Sequence, residues 1–254
     1  MSEGGRFDAW INPLAFLDVD EPWASIVGKT QPSAETILSF LCPPGTPADS
    51  ASLVERYKRI STEPARLLAA PAEPRILEKL VWPLRHAKAS YVVGNNLAVV
   101  ALCGMVSEMV ALLLWQLAKA NLNGQPMTAE GEAALFGRSF EKLGQERRIR
   151  ILEAYGVVAP KVIDMFNTIR LRRRKYLHLW SQDHERLPED AVACFHAGVG
   201  LVVAAIGQDI KDGTLVLNPK LVKYLERQGM YESAEERSNK ELPPTAADAD
   251  DDES

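Results

Sequence analysis

Between positions 169 and 180 the chain reads Ile-Arg-Leu-Arg-Arg-Arg-Lys-Tyr-Leu-His-Leu-Trp, a concentration of cations around one histidine. On a helix Arg170, Arg174 and His178 fall four residues apart and share a face, and Leu171, Leu177 and Trp180 are predicted to turn toward a core. Arginine offers a forked set of donors and a fixed positive charge, which suits a phosphate, and Lys175 adds a compact charge beside Arg170 and Arg174. His178 can exchange a proton close to neutrality. These residue types suffice to cleave RNA without a metal. A histidine takes the 2'-hydroxyl proton or protonates the leaving oxygen, while an arginine (Arg173 or Arg174) steadies the charge growing on phosphorus. A solvated helix face more often has this composition than a catalytic centre does, and a histidine beside Leu and Trp is often only packed and hydrogen-bonded.

Glu108 is the second residue that demands an explanation. It stands, with Ser107, in the middle of the apolar run 97–118, LAVVALCGMVSEMVALLLWQLA. A lone carboxylate on such a helix must be neutralised, paired or hydrogen-bonded. An arginine from 170–174 is the expected partner, which makes Glu108 a structural or site-orienting carboxylate; His196 either joins the same polar cluster or, the reading favoured, is a satisfied core histidine. The run is long enough to span a bilayer, but its central Ser-Glu and its flanking Asn and Gln residues without a Lys/Arg bias favour a buried core helix. The apolar stretch 191–206, with His196 and two glycines, reads as another core helix.

No metal or cofactor site emerges. There is no H-E-x-x-H, phosphate-binding loop or dinucleotide glycine pattern, and His178 and His184 do not share a helical face. Cys42, Cys103 and Cys194 form no C-x-x-C pair and no disulfide framework, which fits a reducing compartment. The first residues carry no basic and apolar leader, so a cytoplasmic location is expected.

The elements that hold these residues are expected to be almost wholly helical. The chain has 254 residues, 46% of them hydrophobic, enough for a sizeable core. Residues 1–70 read as an irregular N-terminal extension with short helices that packs on the rest. One covers 33–40, one opens with a Ser52-x-x-Glu55 capping box, and one is capped by Thr62. Residues 71–232 form the helical bundle. In it Pro83 should kink or divide the first long helix, Gly94 bends the chain into the central helix, and a polar turn occupies 122–126. Helical segments succeed it at 129–137, 139–154 and from Pro160 onward, the last either unbroken through the basic stretch or interrupted near 168–172. A helix over 188–206 ends at Gly207, Asp212-Gly213 makes a turn beside an extended TLVL, and Asn218-Pro219 opens a final helix that Gly229 ends. No succession of alternating β-branched runs predicts a large sheet. From Glu232 on there are nine acids and two bases, so 233–254 is expected to be a disordered acidic tail, and the body it leaves behind is mildly basic.

Over residues 75–207 this order of features resembles the HEPN superfamily, small helical domains of prokaryotic toxin systems and defence proteins. The features are a long apolar helix with a central acid (Glu108), a helical connector, and an Arg-x(4–6)-His segment leading into another apolar helix. The resemblance implies a HEPN-like bundle and metal-independent RNA cleavage by paired Arg/His sites facing each other across a homodimer. His178 matches the histidine, and Arg173 with four intervening residues, or Arg172 with five, matches the arginine. The family usually places Asn, Asp or His directly after its arginine, whereas here Arg173 comes after Arg172 and Arg174 after Arg173. Two functions stand open. The first is a helical interaction or regulatory module that dimerises or holds a protein partner, contacting nucleic acid through the basic stretch without entering a membrane. The second is a HEPN-type endoribonuclease.

Overall fold

The computed structural model describes residues 49–61, 74–118, 121–122, 125–178, 183–207, 209–211 and 214–228. The expectations for 33–40, Thr62, Trp180, Asp212-Gly213, Gly229 and the acidic tail lie outside them.

The first described helix, α1 (Ser50–Ile60), does not use Ser52 as its cap. Asp49 stands at the N-cap, its carboxylate accepting from the Ser52 amide at 2.9 Å and from the Ser52 hydroxyl at 2.8 Å. The helix therefore starts earlier than the capping-box reading places it, because a carboxylate can take both donors at once.

At Pro83 the next helical stretch is divided, as expected, with the proline in the first turn of the second α-helix. The chain winds through α2 (Pro74–Ile76), a π-helical turn (Leu77–Val81) and α3 (Trp82–Val92). Proline has no amide to bond the carbonyl four residues back, and its ring clashes there in a regular α-helix. The wider π turn, in which the Trp82 amide bonds the Leu77 carbonyl, relieves this crowding just before the proline. Gly94, at φ 85°, then makes the left-handed bend that non-glycine residues resist.

Central helix α4 (Asn96–Ala118) comes next, with Asn95 accepting from the Ala98 amide at its start. A two-residue ribbon, β1 (Asn121–Leu122) with β2 (Gln125–Pro126), stands at the predicted turn. Then come α5 (Ala129–Phe136), a 3-10 turn (Phe140–Lys142), α6 (Gln145–Ala154) and α7 (Pro160–His178). The basic helix α7 is unbroken through 168–172. Helix α8 (Leu187–Ile206) ends at the left-handed Gly207. A short ribbon, β3 (Asp209–Lys211) with β4 (Thr214–Val216), leads to α9 (Pro219–Arg227), which Asn218 caps.

The result is an all-helical bundle with two small ribbons among the described residues. Its centre is α4, against which α3, α7 and α8 pack, and Val99, Val100, Cys103, Val106 and Val110 are completely buried there. By length and composition both α4 and α8 could cross a membrane, their most apolar windows having mean hydropathy 2.4 and 1.6, and in the bundle half of each such window is buried within the protein. Of the N-terminal extension, α1 lies on α3 and α8. Ile60 is buried there, Arg59 pairs with Glu189 at 2.9 Å, and the Ile60 carbonyl lies 3.1 Å from His196 Nε2. His196 thus holds α1 to the bundle and is not in the Glu108 cluster.

One face assignment is corrected. Leu171 and Leu177 are 53% and 37% exposed, and the inward positions of α7 are Ile163, Phe166, Ile169 and Tyr176. These recur at helical spacing, and the stripe they define passes through 172–173, so arginines occupy core-facing positions and leucines are left outside. Residue type alone places the apolar side chains inward; the partner offered by α4 at that level is a carboxylate.

Candidate anion-binding site

Helix α4 presents Gly104, Ser107 and Glu108 on one face, spaced by three and four residues, and α7 crosses that face. Arg173 fits there because residue 104 has no side chain. A Cβ on Gly104 would stand 2.6 Å from Arg173 Cδ and 3.0 Å from its Nε, closer than carbon atoms tolerate. The arginine lies in this notch and its Nη1 donates to Glu108 Oε1. Glu108 is therefore answered by an arginine of the basic stretch, as expected. The pair is half-buried, with the side chains 34% and 31% exposed, and not sealed in the core.

Beside it opens a cleft of about 240 Å³, lined by Gly104 and Ser107 of α4, Gln145 and Glu146 of α6, and Ile169, Arg170, Arg173, Arg174 and His178 of α7. The face predicted for Arg170, Arg174 and His178 is thus real, and Arg173 joins it. Helix α6 packs so that Gln145 Nε2 donates to the Ser107 carbonyl at 3.1 Å and to its hydroxyl oxygen at 3.0 Å. The carbonyl can only accept, which fixes the amide with Oε1 turned away from it. That Oε1 and Arg173 Nε are both buried and without a hydrogen-bonding partner in the protein, so two polar groups at this cleft stand unsatisfied.

Electrostatics divide the basic stretch in two. Arg170 meets Glu146 at 3.1 Å, and Glu146 also holds Arg150 at 2.5 Å. Arg172 turns the other way, its Nε donating to Asp190 Oδ1 at 2.8 Å. Asp190 Oδ2 accepts from the Tyr176 hydroxyl at 2.6 Å, and Lys175 stands 3.8 Å from the same oxygen and 3.0 Å from Tyr176 Oη. Burial raises the Asp190 pKa, but the Tyr176 hydroxyl and Arg172 outweigh it and hold the carboxyl below its ordinary value. Burial and the Asp190 hydrogen bond push the Tyr176 phenol up, and Tyr176 raises Lys175. Arg172 and Lys175 thus belong to a clamp between α7 and α8 and do not line the cleft that holds His178.

Arg174 and His178 remain. Both are exposed, and among the described residues neither takes part in an ion pair or a hydrogen bond with the protein. Arg170 and Arg173 have carboxylate partners, so Arg174 supplies the uncompensated positive charge. Gly104, Ser107, Gln145 and Glu146 are the site residues that sequence reasoning misses. Ser107 interrupts the apolar run, and that interruption is the available signal; Gln145 carries none.

Cys103 and Cys194 are free and buried. Burial pushes the Cys103 thiol well up and the Cys194 thiol to about 12, so neither is a nucleophile near neutrality. Among the described residues no three of His, Cys, Asp and Glu converge as metal ligands. Comparison with family models, curated proteins and solved structures finds no match for the chain.

Proposed function

We propose that this chain is a helical interaction module that holds a phosphate of an RNA strand in the cleft between α4, α6 and α7. The observation that carries the reading is the opening of Arg170, Arg173, Arg174 and His178 onto one cleft, with Arg174 and His178 exposed and, among the described residues, unpaired. Arg174 makes the first contact as an exposed cation. Arg173 can then share its guanidinium between Glu108 and the incoming oxygen, since a planar fork serves two acceptors. The module acts as a cytoplasmic homodimer or on a protein partner: exposed Leu171 and Leu177 lie on the same helix as the basic face, and a second protein surface would cover them.

A second reading, cleavage of the bound RNA by a HEPN-like mechanism, is favoured by one specific placement. His178 is open to solvent in the same cleft as Arg173, with four residues between them. Proton exchange at His178 and charge stabilisation by Arg173 need no metal. Arg172, the other arginine at suitable spacing, is engaged by Asp190.

Both readings are tested in one preparation. Fluorescence anisotropy with a labelled single-stranded RNA in chelator should show binding that weakens with salt. Arg174→Ala should lower the affinity several-fold and flatten the salt dependence by about 0.7 in log–log slope, the loss of one phosphate contact on a single strand. No RNA binding by the wild type, or an unchanged slope in Arg174→Ala, rejects the module. Monitoring the same RNA by electrophoresis tests cleavage: loss of scission in folded His178→Ala and Arg173→Ala variants supports the second reading, and RNA left intact by the wild type removes it.

A further inference from the structure

Apart from Ser107, Glu108 and Gln116, helix α4 is apolar around its circumference between its first and last turns, so nearly every side of it needs a cover. Its neighbours supply one on most sides. On the side bounded by α2, the π-helical turn and α9, Met109, Leu112 and Leu113 are only partly buried. They line, with Leu225, an open and mainly apolar groove of about 210 Å³. Two exposed cations, Arg75 and Lys79, stand at this groove, and neither forms a salt bridge among the described residues. The groove therefore suits an occupant that brings large apolar side chains together with negative charge.

We propose that the occupant is residues 7–21 of the same chain, FDAWINPLAFLDVDE. This stretch carries Phe7, Trp10, Ile11, Leu14, Phe16 and Leu17, together with Asp8, Asp18, Asp20 and Glu21, and contains no Lys or Arg. It matches both properties of the groove. Three other stretches outside the described residues match one property at most, and the first of them, residues 22–48, has large apolar side chains such as Trp23, Leu38 and Phe40 but balances Glu35 with Lys29. Residues 62–73 offer Leu67 and Leu68 but partly offset Glu63 and Glu73 with Arg66, and the acidic end after 232 has Leu242 as its only large apolar side chain. Reach is no obstacle. The chain between residue 21 and Asp49 can extend over about 90 Å, more than the width of a bundle of this size. Apolar anchors seat over Met109, Leu112 and Leu113, and the acids meet Arg75 and Lys79. The N-terminal segment in this way completes the core around α4.

The test uses the full chain with a benzophenone amino acid in place of Gln116, an exposed residue at the groove that accepts a hydrogen bond from Tyr224. The labelled protein should keep the helical circular dichroism and melting temperature of the wild type; if position 116 fails that control, the label goes to Tyr224, another residue lining the groove, instead. After irradiation and proteolysis, mass spectrometry of the monomer should find the cross-link in residues 7–21. Trp10→Asp with Leu14→Asp should abolish it, and Arg75→Glu with Lys79→Glu should reduce it several-fold. Cross-links to 22–48, to 62–73, to residues beyond 228, to a second copy, or only to the groove's own lining would each overturn the proposal.

Discussion

The contact between Arg173 and α4 depends on an atom that is missing. With a Cβ at position 104 only 2.6 Å from Arg173 Cδ, Gly104→Ala must push the arginine out of its notch and weaken its hold on Glu108. Both partners are about one-third exposed, so water compensates part of the loss, and the cost falls between that of a surface pair and a buried one, about 1–3 kcal/mol. The specific expectation is non-additivity. In urea denaturation, Gly104→Ala combined with Arg173→Ala should be less destabilised than the sum of the single variants, by about 1 kcal/mol, because removing the arginine makes room for the methyl group. Strict additivity would mean that the two residues do not press on each other.

At the scale of elements, the connector between α4 and α6 shows how a short helix with no fully buried residue is held. Helix α5 is tied by Glu132, whose Oε1 accepts from Trp115 Nε1 at 2.6 Å and whose Oε2 accepts from the Phe140 amide at 2.7 Å. Trp115 and Phe140 stack at 4.6 Å, while Phe136 and Tyr155 meet the indole edge to face. In Glu132→Gln an amide nitrogen replaces one accepting oxygen, leaving an N–H group facing another N–H group. The expected destabilisation is about 1–3 kcal/mol, with a changed Trp115 fluorescence environment. A variant with wild-type stability would show that water replaces the carboxylate without cost. None of this is legible in the sequence. Helix existence and order can be read because apolar spacing, Gly94, Pro160, Gly207 and Asn218-Pro219 are local signals. The Glu132 bridge and the Gln145–Ser107 bond join residues 8 to 38 apart in sequence, and nothing in either residue's neighbourhood announces them. The basic stretch is legible by type, and Glu108 points to its own partner. The outward turn of Leu171 and Leu177 is not, because it arises from a carboxylate and a glycine on another helix.

At the scale of the molecule, the bundle brings two rows of opposite charge together along α7, one at the cleft and one at the clamp with α8, and of the two the clamp is the more tightly enclosed. Asp190 is 14% exposed, sits in the first turn of α8 where the helix dipole favours an anion, and receives Arg172 and Tyr176 at once. Its folded-state pKa is depressed, so the native state binds this proton less readily than the unfolded chain. The stability Asp190 contributes is therefore fully present above its ordinary value of 3.8 and is lost as pH falls through the lowered one. Asp190→Asn keeps the volume but leaves Arg172 without its counter-charge, and should cost about 1–3 kcal/mol near neutrality. The decisive measurement is the stability difference between wild type and variant, taken by urea denaturation from neutral pH downward. It should stay level to about pH 4 and then shrink, because the wild-type carboxyl becomes as neutral as the amide. A difference that persists unchanged in acid would assign the clamp to shape and neutral hydrogen bonds, and the joining of α7 to α8 would owe nothing to the charge on Asp190.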